Sequence, residues 1–179
     1  MVRVRTIAAI CLLSILAGCR SKSCDEVVHE AVAKANSHSK RLLIKFGSSW
    51  CEPCQRLEKF LNSKPVWSIL GKHFDLLVIR YRENWAHSSQ NVPEAEEWLA
   101  RSGVKPTLPA MAILDEAGNV VASSSSGQSQ KGPIILGAPP YAYADIPAFL
   151  GFIHSGAPDV TDDELWELRR ILEGLIPAK

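Results

Sequence analysis

A chain of 179 residues, 46% hydrophobic and 22% charged, is long and apolar enough to bury a core, which excludes a disordered polymer. Its formal net charge is +1, too small to hold a nucleic acid by bulk charge. It contains five cysteines, so their spacing is the first functional question.

The N-terminus, MVRVRTIAAICLLSILAGC, has Arg3 and Arg5, an apolar stretch from Ile7 to Leu16, and small residues before Cys19. That is the layout of a secretory signal, and the apolar run is too short for a comfortable membrane span. Its ending, Leu16 to Cys19 (LAGC), resembles the bacterial lipobox. The resemblance implies that residues 1–18 are a leader, that Cys19 is lipidated, and that 19–24 form an anchor and short tether. Losing Arg3 and Arg5 leaves a near-neutral chain, so membrane contact is expected through lipid and not through charge. Arg20 is not the Asp that retains lipoproteins of enteric-type bacteria in the inner membrane. The expected location is the bacterial envelope, on the periplasmic or extracytoplasmic side, with the outer membrane open in a Gram-negative host. A tether of about six residues, from Cys19 to a helix near Asp25, reaches roughly 20 Å at full extension.

Ser23, with Glu26 three residues on, makes a capping-box pattern. Val27, Val28, Ala31, Val32 and Ala35 continue it as an apolar helical stripe. RLLIKF (41–46) reads as a strand, and CEPCQRLEKFLNS (51–63) as a helix with Leu57, Phe60 and Leu61 inward. No element is assigned to 64–73. FDLLVIRY (74–81) is a second strand, apolar enough to be central. NVPEAEEWLARSG (91–103) reads as a short helix starting at Asn91 and ending on Gly103. AMAILD (110–115), EAGN and NVVAS (119–123) read as strand, turn, strand, and SSSSGQSQKG (123–132) as a polar loop. YADIPAFLGFI (143–153) reads as helical. TDDELWELRRILEG (161–174) opens on a second capping box, Thr161 with Glu164, and its stripe is Leu165, Leu168, Leu172 and Leu175. The order α-β-α-β-α-β-β-α plus a terminal helix predicts a mixed α/β sheet with helices on both faces.

With Cys11 in the leader and Cys19 lipidated, Cys24, Cys51 and Cys54 remain. Cys24 reads as a buried or incidental thiol. Cys51 and Cys54 lie in SSWCEPCQRL at the start of a helix, where unpaired N–H groups favour a thiolate. Cys54 follows one turn later on nearly the same face. That spacing suits Cys51 as nucleophile and Cys54 as resolving thiol, passing through a mixed disulfide to a Cys51–Cys54 bridge. Structural zinc needs four ligands, yet there is no second CxxC, and His29, His38, His73, His87 and His154 are scattered. Two thiolates suit Cu(I), so a metallochaperone-like module stays open, as does a non-catalytic adaptor docking through its terminal helix. A purely structural bridge would close too short a loop to add much stability. A redox-active Cys51–Cys54 disulfide with no metal or other cofactor is the favoured reading.

Residues 41 to 61, with LLIKFGSSWCEPCQRLEKFL, resemble the active-site strand, loop and helix of the thioredoxin superfamily. GVKPTLPAMAILDEAGNVV (103–121) resembles its cis-proline strand. The resemblance implies a thioredoxin-like α/β fold over 25–155, with 156–179 as a helical extension. It implies thiol–disulfide oxidoreductase activity on protein thiols and disulfides. It also implies a cis Leu108–Pro109 bond whose backbone, beside Trp50 and Cys51, pairs with an extended substrate by strand addition. Pro106 is the weaker candidate, being further from the strand. Two departures bear on the site. Lys45 stands where thioredoxins carry a buried acid that helps move the second cysteine's proton. Either its ammonium reaches the surface or proton transfer is handled differently, and no catalytic role is given to it. The stretch from Cys51 to Pro109 is also longer than in a minimal thioredoxin, through RENWAHSSQNVPEAEEW (82–98).

Glu52 and Pro53 lie between the cysteines and are expected to tune the couple. A carboxylate beside Cys51 raises its pKa. A less stable thiolate means a more reducing couple, nearer thioredoxin at about −270 mV than a strong oxidant at about −120 mV. WCEPC also resembles the membrane-tethered reductases of cytochrome c maturation, the TlpA/ResA type. The expectation is therefore a reductase or isomerase of envelope-protein disulfides, recharged by a membrane electron donor because the envelope is oxidising.

Overall fold

A computed structural model describes residues 21–124 and 145–174. The leader, Cys19, most of the 123–132 loop and Leu175 lie outside the described residues. The elements are α1 (Cys24–Ser37), β1 (Arg41–Gly47), α2 (Glu52–Leu61), α3 (Lys64–His73), β2 (Phe74–Arg80), a 3-10 turn (Trp85–Gln90), α4 (Ala95–Arg101), β3 (Ala110–Leu114), β4 (Val120–Ser123), α5 (Asp145–Gly156) and α6 (Asp162–Gly174). The sheet has the order β2-β1-β3-β4, with β1 and β2 parallel and the other pairs antiparallel.

Strand alternation sends successive side chains of β1 to opposite faces. Leu43 faces a core built with Leu57 and Phe60 of α2, Leu70 of α3, Phe149 and Ile153 of α5, and Leu168 and Leu172 of α6. Leu42, Ile44 and Phe46 face a second core with Val28 and Val32 of α1 and Trp98 and Leu99 of α4. Phe46 stacks on Trp98 and meets Tyr81 edge-on. Helices thus cover both faces of a mixed sheet, as the element order predicts.

Three expectations need correction. The strand at 74–81 was expected to be central; β2 lies at an edge of the described sheet, paired with β1. An apolar run reports that both faces of a strand are covered, not that both edges are paired. The helix expected from Asn91 begins at Ala95, after Pro93 bars helical backbone at Val92. The unassigned residues 64–73 form α3, with Pro65 in its first turn and Val66, Ile69 and Leu70 buried.

Both capping boxes form. Ser23 Oγ accepts from the Glu26 amide while the Ser23 amide donates to Glu26, and Thr161 and Glu164 do the same for α6. Glu164 also ties α6 to α3, accepting from Lys72 Nζ at 2.8 Å and lying 2.9 Å from His73 Nε2. Desolvation, the largest influence on this carboxyl, pushes its pKa up. Hydrogen bonds from Lys72, the Thr161 amide and His73 together outweigh it and hold the value at about 2. An unfolded Glu titrates near ~4.3, so as pH falls the unfolded chain takes the proton first. The stabilisation is present in full above the unfolded value and is lost as pH falls through the folded one. Glu164→Gln is expected to lower stability at neutral pH by about 2 kcal/mol and to flatten its decline below roughly pH 4, read from urea midpoints against pH.

Candidate active site

β1 ends at Gly47, and the chain turns through Ser48, Ser49 and Trp50 before α2 begins. Cys51 is the N-cap of α2, just ahead of Glu52, and Pro53 lies in the first turn, where its missing N–H costs nothing. Cys51 and Cys54 are joined as a disulfide, their Cα atoms 5.2 Å apart. Cys51 Sγ accepts from the Cys54 amide at 3.2 Å, so an orphan donor of the helix end points at this sulfur. Cys51 is 5% exposed and Cys54 fully buried, which makes Cys51 the outer sulfur of the pair.

The loop ahead of Cys51 is held by the residues that follow β2. Ser48 Oγ donates to the Tyr81 carbonyl at 2.5 Å. The Ser49 amide and hydroxyl both donate to the Glu83 carboxylate at 2.6 Å. Trp50, 54% exposed, donates through Nε1 to the Arg82 carbonyl at 2.8 Å. Two of these residues also reach the opposite wall. Tyr81 Oη donates to the Thr107 carbonyl at 2.5 Å, and Arg82 to the Pro106 carbonyl at 3.0 Å. Burial pushes the Tyr81 phenol up to about 12, so it remains a donor at neutral pH. Arg82 has φ 56, a left-handed backbone that a non-glycine residue keeps only when its surroundings insist. Here Glu96, Pro106 and Trp50 all hold it.

That opposite wall carries a cis peptide bond between Leu108 and Pro109. β1 and β3 pair with Phe46 opposite Ala110, and continuing this register sets Pro109 beside Gly47, where the cysteine loop begins. Thr107 Oγ1 donates to the Pro109 carbonyl at 3.1 Å. The structure thus gathers Trp50, Cys51, Cys54, Leu108 and Pro109 around one loop junction. Tyr81 and Arg82, which join its two walls, and Glu83, which holds the cysteine loop, belong to no motif in the sequence. Their one local signal was the inserted length that begins at Arg82.

The structure places both charges that the sequence singles out. Glu52 is 70% exposed and is turned onto Arg56, which offsets its effect on Cys51. Lys45 does not reach the surface: its side chain is fully buried, and Nζ donates to Glu58 Oε2 at 2.7 Å. Cys24 is buried and unpaired with another cysteine, and burial pushes its thiol up to about 12. Among the described residues no cluster of His, Cys, Asp and Glu is arranged to hold a metal ion. None of their helices is long and apolar enough to cross a membrane.

A dithiol–disulfide pair at a helix N-terminus, beside a cis-proline just ahead of the neighbouring strand, defines a thioredoxin-type redox protein. A family profile described as thioredoxin-like matches residues 25–116, just over half of the chain, and the protein belongs to that family. No curated protein matches it. Similar solved structures include a disulphide isomerase from Xylella fastidiosa Temecula1, at 18% identity over 82% of this chain and 88% of that one, with a TM-score of 0.47. A DsbH oxidoreductase is 18% identical over 75% of this chain and 83% of its own, with a TM-score of 0.46. A thioredoxin-fold protein from Helicobacter pylori is 20% identical over 76% and 81%, with a TM-score of 0.38.

Removing the Glu83 carboxylate strands the Ser49 amide. Glu83→Ala is expected to cost about 1–3 kcal/mol in urea unfolding, and Glu83→Gln, which keeps one acceptor oxygen, less.

Proposed function

We propose that the protein is a lipid-anchored thiol–disulfide oxidoreductase that reduces or isomerises disulfides of envelope proteins. The observation that carries this reading is the Cys51–Cys54 disulfide at the N-cap of α2, next to cis Pro109. In the reduced protein Cys51 is the attacking thiolate, because it is the outer sulfur and already accepts the Cys54 amide. It displaces one sulfur of a substrate disulfide, which leaves as a thiolate and takes a proton from solvent. Cys54 then attacks Cys51 Sγ, frees the second substrate thiol and closes the Cys51–Cys54 bridge. Two electrons pass to the substrate, and a membrane dithiol donor returns them to the protein.

Leu108 and Pro109 offer backbone to an extended substrate, and exposed Trp50 offers an apolar edge beside it. Glu52 and Pro53 place no cation between the cysteines, which favours a reducing couple. The Glu52–Arg56 pair makes this preference smaller than the bare carboxylate implies. Lipidation of Cys19 would leave only four residues before α1, so the domain stays at the membrane surface.

The reading is tested by trapping. Cys54→Ala is expected to accumulate mixed disulfides through Cys51 in envelope extracts, and Cys51→Ala to accumulate none; equal trapping by both would reverse or remove these roles. Equilibration with glutathione is expected to give a potential below roughly −150 mV, and a higher value would make the protein an oxidant.

A further inference from the structure

β1 sends Lys45 to the same face as Leu43, under α2, where an apolar residue would complete the core. Its side chain is fully buried, a position that lysine occupies only when paired. A methyl built on Gly47 would lie 2.8 Å from Lys45 Nζ and 3.0 Å from Cys54 Cβ. The ammonium and the base of the Cys54 side chain therefore flank one space the size of a single carbon. Glycine at 47 leaves that space clear.

The charges around Nζ are unequal. Glu58 of α2 accepts from Lys45 at 2.7 Å and from Arg80 of β2 at 3.1 Å, so one carboxylate serves two cations. Glu83, the next carboxylate acting on Lys45, already holds two Ser49 donors. Burial, the largest influence, lowers the Lys45 pKa; Glu58 works against it and Arg80 with it. In the disulfide form Cys54 carries no charge. Once reduced, it can supply a further anion on α2 close to Nζ. Glu58 and Arg80 also line a cleft with Ser49, Gln55, Lys59 and Asn62, which gives water access to the far side of the ion pair.

We propose that Lys45 is the electrostatic partner of the Cys54 thiolate: its ammonium, held under α2 by Glu58, stabilises that anion as it attacks Cys51 Sγ. The inference rests on the oxidoreductase reading for its purpose but not for its physics. In the resolving step Cys54 first gives its proton to solvent. Its thiolate then forms a bond to Cys51 Sγ, the bond from Cys51 to the substrate sulfur breaks, and the substrate leaves as a thiolate that solvent protonates. Lys45 keeps its protons throughout and is neither oxidised nor reduced. An attacking sulfur this deeply buried would otherwise have to ionise away from water, which disfavours the thiolate.

The test uses the mature chain with Cys51→Ala, in which Cys54 ionises but no disulfide exchange can occur. Failure here is thus separate from failure of the trapping experiment. Ultraviolet thiolate absorbance is followed as pH rises; Cys24, at about 12, titrates well above neutrality. Adding Lys45→Met is expected to cut the thiolate fraction at neutral pH about tenfold, one unit of upward displacement. An unchanged titration overturns the proposal. Should the methionine variant not fold, the NMR resonance of the Lys45 ε-carbon in the Cys51→Ala protein decides. It is expected to step at the pH where Cys54 ionises, and a resonance that ignores that transition overturns the proposal equally.

Discussion

A loop that turns back at the end of a buried strand must find partners for every polar group it carries inward. In this protein that demand is met by residues 81–83. Ser48, Ser49 and Trp50 all donate into this short segment, and Tyr81 and Arg82 donate onward to the loop that ends in cis Pro109. Both walls of the site are thus tied to one segment that belongs to neither. Their relative position is set by where β2 ends, and β2 is placed by its parallel pairing with β1. The left-handed Arg82 is the local cost of turning the chain so that its carbonyl faces Trp50 while its guanidinium faces Pro106.

Two sources of charge then act on the cysteines from different directions. Cys51 lies at the positive end of α2 and accepts an amide hydrogen, while Glu52 is drawn away by Arg56. Cys54 lies one turn deeper, over a buried lysine that shares its carboxylate with Arg80. The first favours ionisation at the outer sulfur and the second at the inner one. Exchange chemistry needs both, in succession. α6 supports this arrangement from outside the site. α6 completes the core on the α2 side through Leu168 and Leu172, and Glu164 fastens it to α3.

The sequence made some features legible and hid others, for identifiable reasons. Ser23 with Glu26 and Thr161 with Glu164 form the capping boxes that their spacing announces, because a cap involves residues three apart. The helix over 64–73 is not assigned although Pro65, Val66, Ile69 and Leu70 carry its period, since its N-cap, Ser63, reads as the end of the helix before it. The start of the helix near Asn91 was misplaced because Asn91 resembles a cap. Its Oδ1 instead accepts the Glu83 amide at 2.9 Å, and Pro93 delays the helix.

Within one turn of helix or one strand, neighbouring residues alone determine structure. The cysteine spacing and the apolar stripes could therefore be read from the chain; the architecture followed from the order of the elements, and the proline beside the site from a family resemblance. Four things required the tertiary structure: that β2 lies at an edge, that Glu83 holds Ser49, that Glu52 spends its charge on Arg56, and that Lys45 stays inside against Glu58. Each depends on which of several possible partners packing brings within reach. A charged side chain has no periodicity to report its partner. Its consequence for a thiolate follows only from distance and burial, and these exist once the chain has folded.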